Sequence, residues 1–263
     1  MGKDGDKEMT KCSIIGAIGK SAPVMTELVE WLIEVKKEFV SDVVLLVTDD
    51  EEVWKQGELV VSALELSDWD IHVHWRELPF KDVTTDEDNF TFLKKTMEAI
   101  YEEKSKHDAD RIYLNVAGGR KTMTSGLHFL SQFNPVDGVY HVVSPQIGLW
   151  NQKLEQNKDK IDEFFHASDL NRYYEKNKKT FNEILFPEPT EFEVISMPVL
   201  PYPQRVLESF KKVWRSDSKI ERSKIEGLTD NDIYRAASFD LLKYKDGWVY
   251  PTKLGKKLLG IMS

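Results

Sequence analysis

Short apolar segments alternate with helically spaced apolar positions along the first 140 residues. Five segments have the length and composition of buried strands: Cys12–Ala17, Asp42–Val47, Ile71–Leu78, Arg111–Val116 and Val139–Val143. The spacing between them predicts helices, the first over apolar positions from Val24 to Phe39 and the second over Glu51–Leu64. Because a strand, a crossover helix and the next strand form a parallel pair, the pattern predicts an α/β fold. The expected architecture is a Rossmann-like, doubly wound, mostly parallel sheet with helices on both faces.

After residue 150, the regular alternation of strand and helix patterns ends. Residues 151–190 are polar with scattered apolar positions, which predict helices that cap the sheet edge. Five prolines between 187 and 203 indicate a hinge, with one more strand at Phe192–Met197. Beyond Gln204 the pattern predicts three helices, one of them over Ile220–Ile225, then a hairpin turning at Asp246-Gly247 and a closing helix. This is the order of a winged helix-turn-helix, so the predicted domains are residues 11–200 and 204–263.

Composition and charge narrow the class of protein. The 263 residues are 41% apolar and 31% charged, which suits a globular domain with a core. No apolar run reaches the length of a membrane span, and because the first residues are charged and polar, no secretory signal is expected. Cys12 is the only cysteine, so a cytoplasmic protein without disulfides is expected. The net charge of −9 divides into −14 for residues 1–204 and +5 for the rest, which indicates two different surfaces.

The sequence Gly16-Ala-Ile-Gly-Lys-Ser21 joins the first predicted strand to the first helix. Ser21 stands where an N-cap is expected, and the unpaired N–H groups and dipole of a helix N-terminus attract phosphate. The residues of this loop that could contact an anion are Gly16, Gly19, Lys20 and Ser21. A P-loop is not indicated, because Ile14 replaces the glycine that a Walker motif needs. A tight turn in which Ser21 only caps the helix stays open as the alternative.

A second glycine loop, Asn115-Val-Ala-Gly-Gly-Arg-Lys-Thr-Met-Thr124, joins the fourth strand to the fourth helix. Gly118-Gly119 can point successive N–H groups at an anion, and Arg120 and Lys121 add positive charge. In a Rossmann-like order strands one and four are neighbours, so both loops open into one crevice at the carboxyl edge. The sequence therefore predicts a phosphate site for a nucleotide or oligonucleotide there.

The sequences of the two loops, taken together, resemble those of a known protein family. Gly-x-x-Gly-Lys-Ser-Ala-Pro-Val-Met-Thr-Glu after a strand, then Asn-Val-Ala-Gly-Gly-Arg-Lys-Thr-Met, resembles the CARF domains of CRISPR-associated proteins, and the added winged helix resembles their ring nucleases. The resemblance implies a homodimer that binds cyclic tetra-adenylate on its two-fold axis. It also implies cleavage to linear di-adenylate with a 2′,3′-cyclic phosphate, without metal or cofactor, which switches off antiviral signalling.

The resemblance also assigns roles to residues. Ser21 matches the active-site serine of the family, and Arg120 and Lys121 match its basic pair. Gly118, Gly119 and Thr122 match contacts to the ligand backbone. The family uses a further basic residue from later in the chain, for which Arg172, Lys178 and Lys179 are candidates. With the ribose 2′-OH as nucleophile, these groups need only hold the reacting atoms in line and stabilise the phosphorane charge.

The sequence is also compatible with other functions. A transcription regulator that binds the same ligand without cleavage and reads DNA through its winged helix stays open, although Asp230 and Asp232 would repel phosphate. A P-loop kinase is disfavoured, and the Arg-x4–6-His pattern of a HEPN ribonuclease is absent. His72 and His74 share a strand face, but no third metal ligand is evident in the sequence nearby. Aromatic residues that could stack on adenine or pack in the core are Trp150, Phe164, Phe165, Tyr173 and Tyr174.

Overall fold

A computed structural model describes residues 10–134, 136–144 and 147–262, without the side chains of 147–151. The polar N-terminal segment, for which the sequence predicts no secretory signal, falls largely in residues 1–9, which lie outside the described residues. The main sheet has the order β3-β2-β1-β4-β5-β6, parallel except for the antiparallel pair β5–β6. Its strands are β1 (Lys11–Ala17), β2 (Phe39–Thr48), β3 (His72–Leu78), β4 (Arg111–Asn115), β5 (Gly138–Val143) and β6 (Glu193–Ser196). The predicted Rossmann-like α/β fold class is confirmed.

Helices cover both faces of this sheet. They include α1 (Pro23–Glu34), α2 (Glu51–Glu65), α3 (Asp86–Lys106) and α4 (Lys121–Ser131). Along β2, Val43, Leu45 and Val47 join the core beneath α1 and α2, while Val44 and Leu46 are buried on the opposite face. This two-sided burial explains why the central strands read as continuous apolar runs instead of alternating ones.

The end of the first helix differs from the prediction. Helix α1 ends at Glu34, and Phe39 begins β2 instead of closing the helix. Lys37 has a φ of 58°, a left-handed conformation that no helix contains. Val35 and Phe39 are four residues apart, which is a helical spacing. The match is accidental, because Phe39 is the first apolar residue of the next strand.

Residues 147–185 form four helices, as the pattern predicts, but they do not cap the sheet edge. They are α5 (Ile147–Gln156), α6 (Lys158–His166), α7 (Leu170–Lys176) and α8 (Lys178–Leu185). Ser62 Oγ of α2 donates to Asn171 Oδ1 at 2.8 Å, and Thr26 of α1 bonds the Leu185 carbonyl, so these helices pack over α1 and α2. Phe164 and Tyr174 are completely buried there and serve core packing. The Trp150 side chain lies outside the described residues.

The chain divides into two compact units. The first consists of the residues up to Ser131 and of residues 135–199, and the second consists of Gln132–Asn134 and Leu200–Ser263. The second unit contains α9 (Gln204–Arg215), β7 (Ile220–Glu221), a 3-10 turn (Arg222–Lys224), α10 (Asp230–Ser238), β8 (Leu242–Lys245), β9 (Trp248–Pro251) and α11 (Lys253–Ile261). Its three strands have the order β7-β9-β8. The hairpin turns at Asp246 and Gly247, both with positive φ, as predicted. The prediction of a helix at Ile220–Ile225 is wrong, since a two-residue strand and a single 3-10 turn occupy this segment.

Within the described residues, no helix is both long and apolar enough to cross a bilayer.

The buried acidic side chain of Glu27 on α1 makes the stability of the first unit depend on pH. Burial raises the pKa of Glu27 to about 7, and Glu27 is 2% exposed. The folded state therefore binds a proton that the unfolded state releases, and the free energy of unfolding falls as pH rises between the unfolded pKa and 7. We expect Glu27→Gln to raise the free energy of unfolding by roughly 2 kcal/mol at pH 8 and by much less at pH 4.5, measured by urea denaturation.

The exposed Glu34 on the same helix provides the matched control, because Glu34→Gln removes the same charge without a burial cost. A gain in Glu27→Gln that is equal at all pH values would show that the effect comes from packing and not from ionisation.

Candidate functional site

The two glycine loops lie side by side at the carboxyl edge of the sheet. Strands β1 and β4 are paired in parallel, with Gly16 opposite Asn115 where both strands end. The predicted adjacency of the first and fourth strands is therefore confirmed. In a doubly wound sheet this position, between strands whose helices leave to opposite faces, is the switch point at which ligands bind.

Glycines permit direct backbone contact between the loops. A Cβ on Gly19 would lie 2.9 Å from the Gly119 nitrogen, and a Cβ on Gly118 would lie 2.2 Å from the Ala17 carbonyl oxygen. Gly119 has a φ of 77°, which a side chain would strain. The loops thus form one continuous surface that a larger residue at any of these positions would separate.

Asn115 fixes the second loop against the first helix. Its buried side chain donates from Nδ2 to the Val24 carbonyl at 2.8 Å and accepts at Oδ1 from the Ala117 N–H at 2.9 Å. These two bonds tie the end of β4 to the start of α1. Asn115 is therefore a positioning residue of this edge of the sheet.

Ser21 does not cap the first helix, contrary to the prediction. The N-cap residue is Ala22, in a helical conformation and without a side-chain hydrogen bond, and Pro23 opens the helix. Ser21 is exposed beside this uncapped end, so its hydroxyl is not used in helix capping. Arg120, Lys121 and Thr122 are also exposed at the start of α4. The structure thereby brings the candidate residues of both loops to one edge of the sheet.

Acidic residues hold two of the three candidate cations. Lys20 Nζ lies 2.5 Å from Glu52 Oε2, and Arg120 Nε lies 3.3 Å from Asp82 Oδ2. The hydrogen bond to Glu52 raises the pKa of Lys20. Lys121 forms no ion pair with any residue in the described part of the chain. The acidic run from Asp49 to Glu52 directly follows β2, so its position at this edge of the sheet could have been predicted from the sequence. Asp82 lies in an irregular segment, and nothing in the sequence pattern predicts its contact with Arg120.

A cavity of about 720 Å³ opens beside Lys20. Four lysines and five acidic residues line it together with apolar residues of α5 and α6: Lys20, Lys55, Lys81, Lys158, Asp50, Glu51, Glu52, Glu155, Asp162, Leu154, Ile161 and Phe165 are among them. Ser21, Arg120 and Lys121 are exposed and do not line this cavity. Its mixed charge makes it a less suitable anion site than the loops themselves.

Within one protomer, the candidate Lys178 lies away from the glycine loops. Its ammonium donates to the Leu66 carbonyl at 2.7 Å, at the C-terminal end of α2, whereas Lys20 lies beside the N-terminal end of that helix. The two ends of α2 are on opposite edges of the sheet. Lys158, another lysine from later in the chain, lines the same cavity as Lys20.

The expectation that His74 has no further metal-ligating neighbours is wrong. Asp42 and His107 place ligand atoms within 4.8 Å of one another and of His74. They come from β2 and from the end of α3, far from His74 in sequence. His72, its neighbour on the strand, is exposed and outside this group.

Residues 21–229 match the family model described as CRISPR-associated protein NE0113. The chain belongs to this family. The matched segment includes Ser21 and both residues of the basic pair, and it covers most of the chain. The predicted membership of a CRISPR-associated family is thereby confirmed.

Two solved structures are similar to this chain at low identity. Csm6 from Enterococcus italicus, bound to cyclic hexa-2′-fluoro-hexa-dAMP, is 16% identical with a TM-score of 0.48, over 77% of this chain and 45% of that one. Protein VC1899 from Vibrio cholerae is 11% identical with a TM-score of 0.36, over 95% of this chain and 66% of that one. The chain thus spans less than half the length of Csm6 and about two thirds of VC1899. No curated protein matched the chain.

Proposed function

We propose that this CRISPR-associated protein binds cyclic tetra-adenylate between two copies of the chain and cleaves it to linear di-adenylate. The observation that carries the proposal is the direct contact between the loops at Gly19 and Gly119. Through it, the uncapped start of α1 and the basic start of α4 border one surface, with Ser21 and Lys121 exposed on it. Neither helix has an acidic residue in its first turn, so both positive dipole ends are available to phosphate.

The chemistry requires no nucleophile from the protein. The ribose 2′-oxygen attacks the adjacent phosphorus, the bond from phosphorus to the 5′-oxygen breaks, and a 2′,3′-cyclic phosphate and a free 5′-hydroxyl result. The proton lost from the 2′-OH is balanced by the one that the leaving oxygen gains from water. Ser21 Oγ and Lys121 would hold the phosphate and stabilise the charge of the transition state, and Arg120 would add a second cation. The reaction is therefore proposed to proceed without a metal ion.

A symmetric ring suits a symmetric pair of subunits. The candidate residues Lys20, Ser21, Arg120 and Lys121 are exposed in a single protomer. A second copy related by a two-fold axis would present the same loops to the opposite half of the ring. The homodimer is thus part of the proposed site.

We also propose that the second unit is a winged helix that does not serve primarily to bind DNA. Its order of elements and its three-stranded sheet suit this fold, with α10 as the helix that would enter a groove. The start of α10 carries Asp230 and Asp232, and Arg222 donates from Nε to Asp230 Oδ1 at 2.8 Å. Negative charge at the leading end of this helix would repel the DNA backbone.

One assay separates the two candidate functions. Radiolabelled cyclic tetra-adenylate is incubated with the protein in EDTA, and the products are separated on a gel. Conversion to di-adenylate that Ser21→Ala slows supports the ring nuclease. Tight binding of an intact ring, together with a ligand-dependent shift of promoter DNA, would instead establish a transcription regulator. The absence of both binding and cleavage would overturn the proposed site.

The ion pair between Arg120 and Asp82 is expected to weaken ligand binding. In Asp82→Asn the guanidinium is released and one negative charge is lost at the site, so the affinity for cyclic tetra-adenylate should rise about three-fold at low salt. Isothermal titration at two salt concentrations measures this, and the gain should shrink at high salt. Asp68→Asn is the matched control, because the exposed Asp68 follows α2 at the opposite edge of the sheet. An equal gain in both variants would mean that total charge, and not release of Arg120, is responsible.

A further inference from the structure

A group of histidine and carboxylate side chains lies at the amino edge of the sheet, opposite to the glycine loops. Asp42 is near the start of β2, His74 is on β3, and Glu103 and His107 come from the last turn and the C-cap of α3. His74 Nε2 lies 2.8 Å from Asp42 Oδ1 and 4.0 Å from Glu103 Oε1. The His107 ring packs on His74 with 4.3 Å between the ring centroids. Four groups that can bind a metal thus meet in one place.

The two carboxylates are oriented by serine hydroxyls. Ser41 Oγ donates to Asp42 Oδ2 at 2.6 Å, and Ser13 Oγ donates to Glu103 Oε2 at 2.7 Å. Each carboxylate therefore has one oxygen held by a serine and the other directed at His74. Hydrogen bonds of this kind fix the ligands of metal sites from the second layer.

Glu103 shows that the group is more than a hydrogen-bonded pair. Glu103 is completely buried, and its Oε1 has no hydrogen-bond partner in the described part of the structure. Leaving such an oxygen unpaired is costly, because burial removes the water that would otherwise satisfy it. The hydrogen bond between His74 and Asp42 satisfies these two side chains. It does not satisfy Glu103 Oε1, and it does not involve His107. Arg76, two residues along β3, is paired with Glu102 and offers Glu103 no partner.

We propose that Asp42, His74, Glu103 and His107 bind a zinc ion. Two neutral imidazoles and two carboxylates carry a charge of −2, which a divalent cation balances, and nitrogen with oxygen donors in a set of four suits tetrahedral zinc. Imidazole ligands favour zinc over magnesium or calcium, which prefer oxygen ligands alone. The ligand atoms of Asp42, His74 and His107 lie within 4.8 Å of one another, and Glu103 Oε1 lies 4.0 Å from His74 Nε2, so side-chain rotations are required to bring all four around one ion. With four protein ligands the site is structural and joins α3 to β2 and β3.

The test is zinc binding by the tag-free chain after removal of metal with a chelator. Equilibrium dialysis with zinc, followed by mass spectrometry of the metal, should give one ion per chain. His107→Phe keeps the ring beside His74 but removes the ligand atom, and Glu103→Gln keeps an acceptor for Ser13 but removes the charge. Each is expected to weaken zinc binding by at least about 100-fold. His72→Ala is the matched control, since His72 is exposed on the same strand, and it should bind as tightly as the unchanged chain.

Two further measurements keep the result interpretable if a variant folds poorly. Zinc at about 100 times its dissociation constant should raise the unfolding midpoint of the unchanged chain and of His72→Ala by roughly 5 °C, but not that of His107→Phe. Cobalt in place of zinc should give the visible absorption of a tetrahedral nitrogen and oxygen site. Substoichiometric zinc in the unchanged chain, or equal affinity in His107→Phe, would overturn the proposal. Because the site lies on the opposite edge of the sheet, these outcomes do not depend on cleavage of cyclic tetra-adenylate.

Discussion

Replacing Lys121 with alanine is expected to slow the cleavage of cyclic tetra-adenylate by about 100-fold, which is the usual cost of removing one preorganised group that stabilises transition-state charge. Lys121 stands at the first position of α4, is exposed, and has no ion-pair partner among the residues that the structure describes. Its full charge is therefore free to meet a phosphate. Lys20 and Arg120 differ, since each must first leave a carboxylate.

Single-turnover kinetics with saturating protein measures this effect, because it separates the chemical step from ligand binding. Binding of the uncleaved ring should weaken less than cleavage slows, since the charge that Lys121 neutralises grows in the transition state. Lys176→Ala is the matched control, because Lys176 is also an exposed lysine but lies at the end of α7, close to Lys178, which bonds the Leu66 carbonyl at the opposite edge of the sheet. Equal losses in both variants would remove Lys121 from the reaction and return the search for a cation to the later lysines.

The strands and their order were accessible from the sequence because burial on both faces leaves a simple signature. Val43 to Val47 are all buried, so β2 appears as an uninterrupted apolar run. Once the strands alternate with helices, the right-handed crossover rule restricts their order and places β1 next to β4. The convergence of Gly19 and Gly119 then follows from topology alone.

The details of the site depend on contacts that sequence spacing does not encode. Ser21 has the identity of an N-cap residue, yet the helix starts one residue later, because Pro23 already fixes the backbone of the first turn. Asp82 reaches Arg120 across a gap of 38 positions from an irregular segment. The group around His74 likewise needs the end of α3 to meet the start of β2, and a strand pattern with two histidines shows only one of its members.

Gly118→Ala is expected to lower the free energy of unfolding by about 3 kcal/mol and to abolish ligand binding, the largest effect of any single methyl group at this edge. The added Cβ would lie 2.2 Å from the Ala17 carbonyl oxygen, a backbone atom that cannot rotate away. Relief requires β1 or the second loop to move by about an ångström or more. Such a movement separates Gly19 from Gly119, so the loops lose the common surface on which the proposed phosphate site depends.

Gly260→Ala is the matched control, because it adds the same methyl group in open space on α11 and should leave stability unchanged or raise it by about half a kcal/mol. Urea denaturation followed by near-ultraviolet circular dichroism measures both variants, and binding is compared at a temperature at which each is folded. A folded Gly118→Ala that no longer binds separates the role of the loop contact from stability. Unchanged stability and unchanged binding would instead show that the loops can part without consequence, and the geometric basis of the phosphate site would fail even if Lys121 proved important.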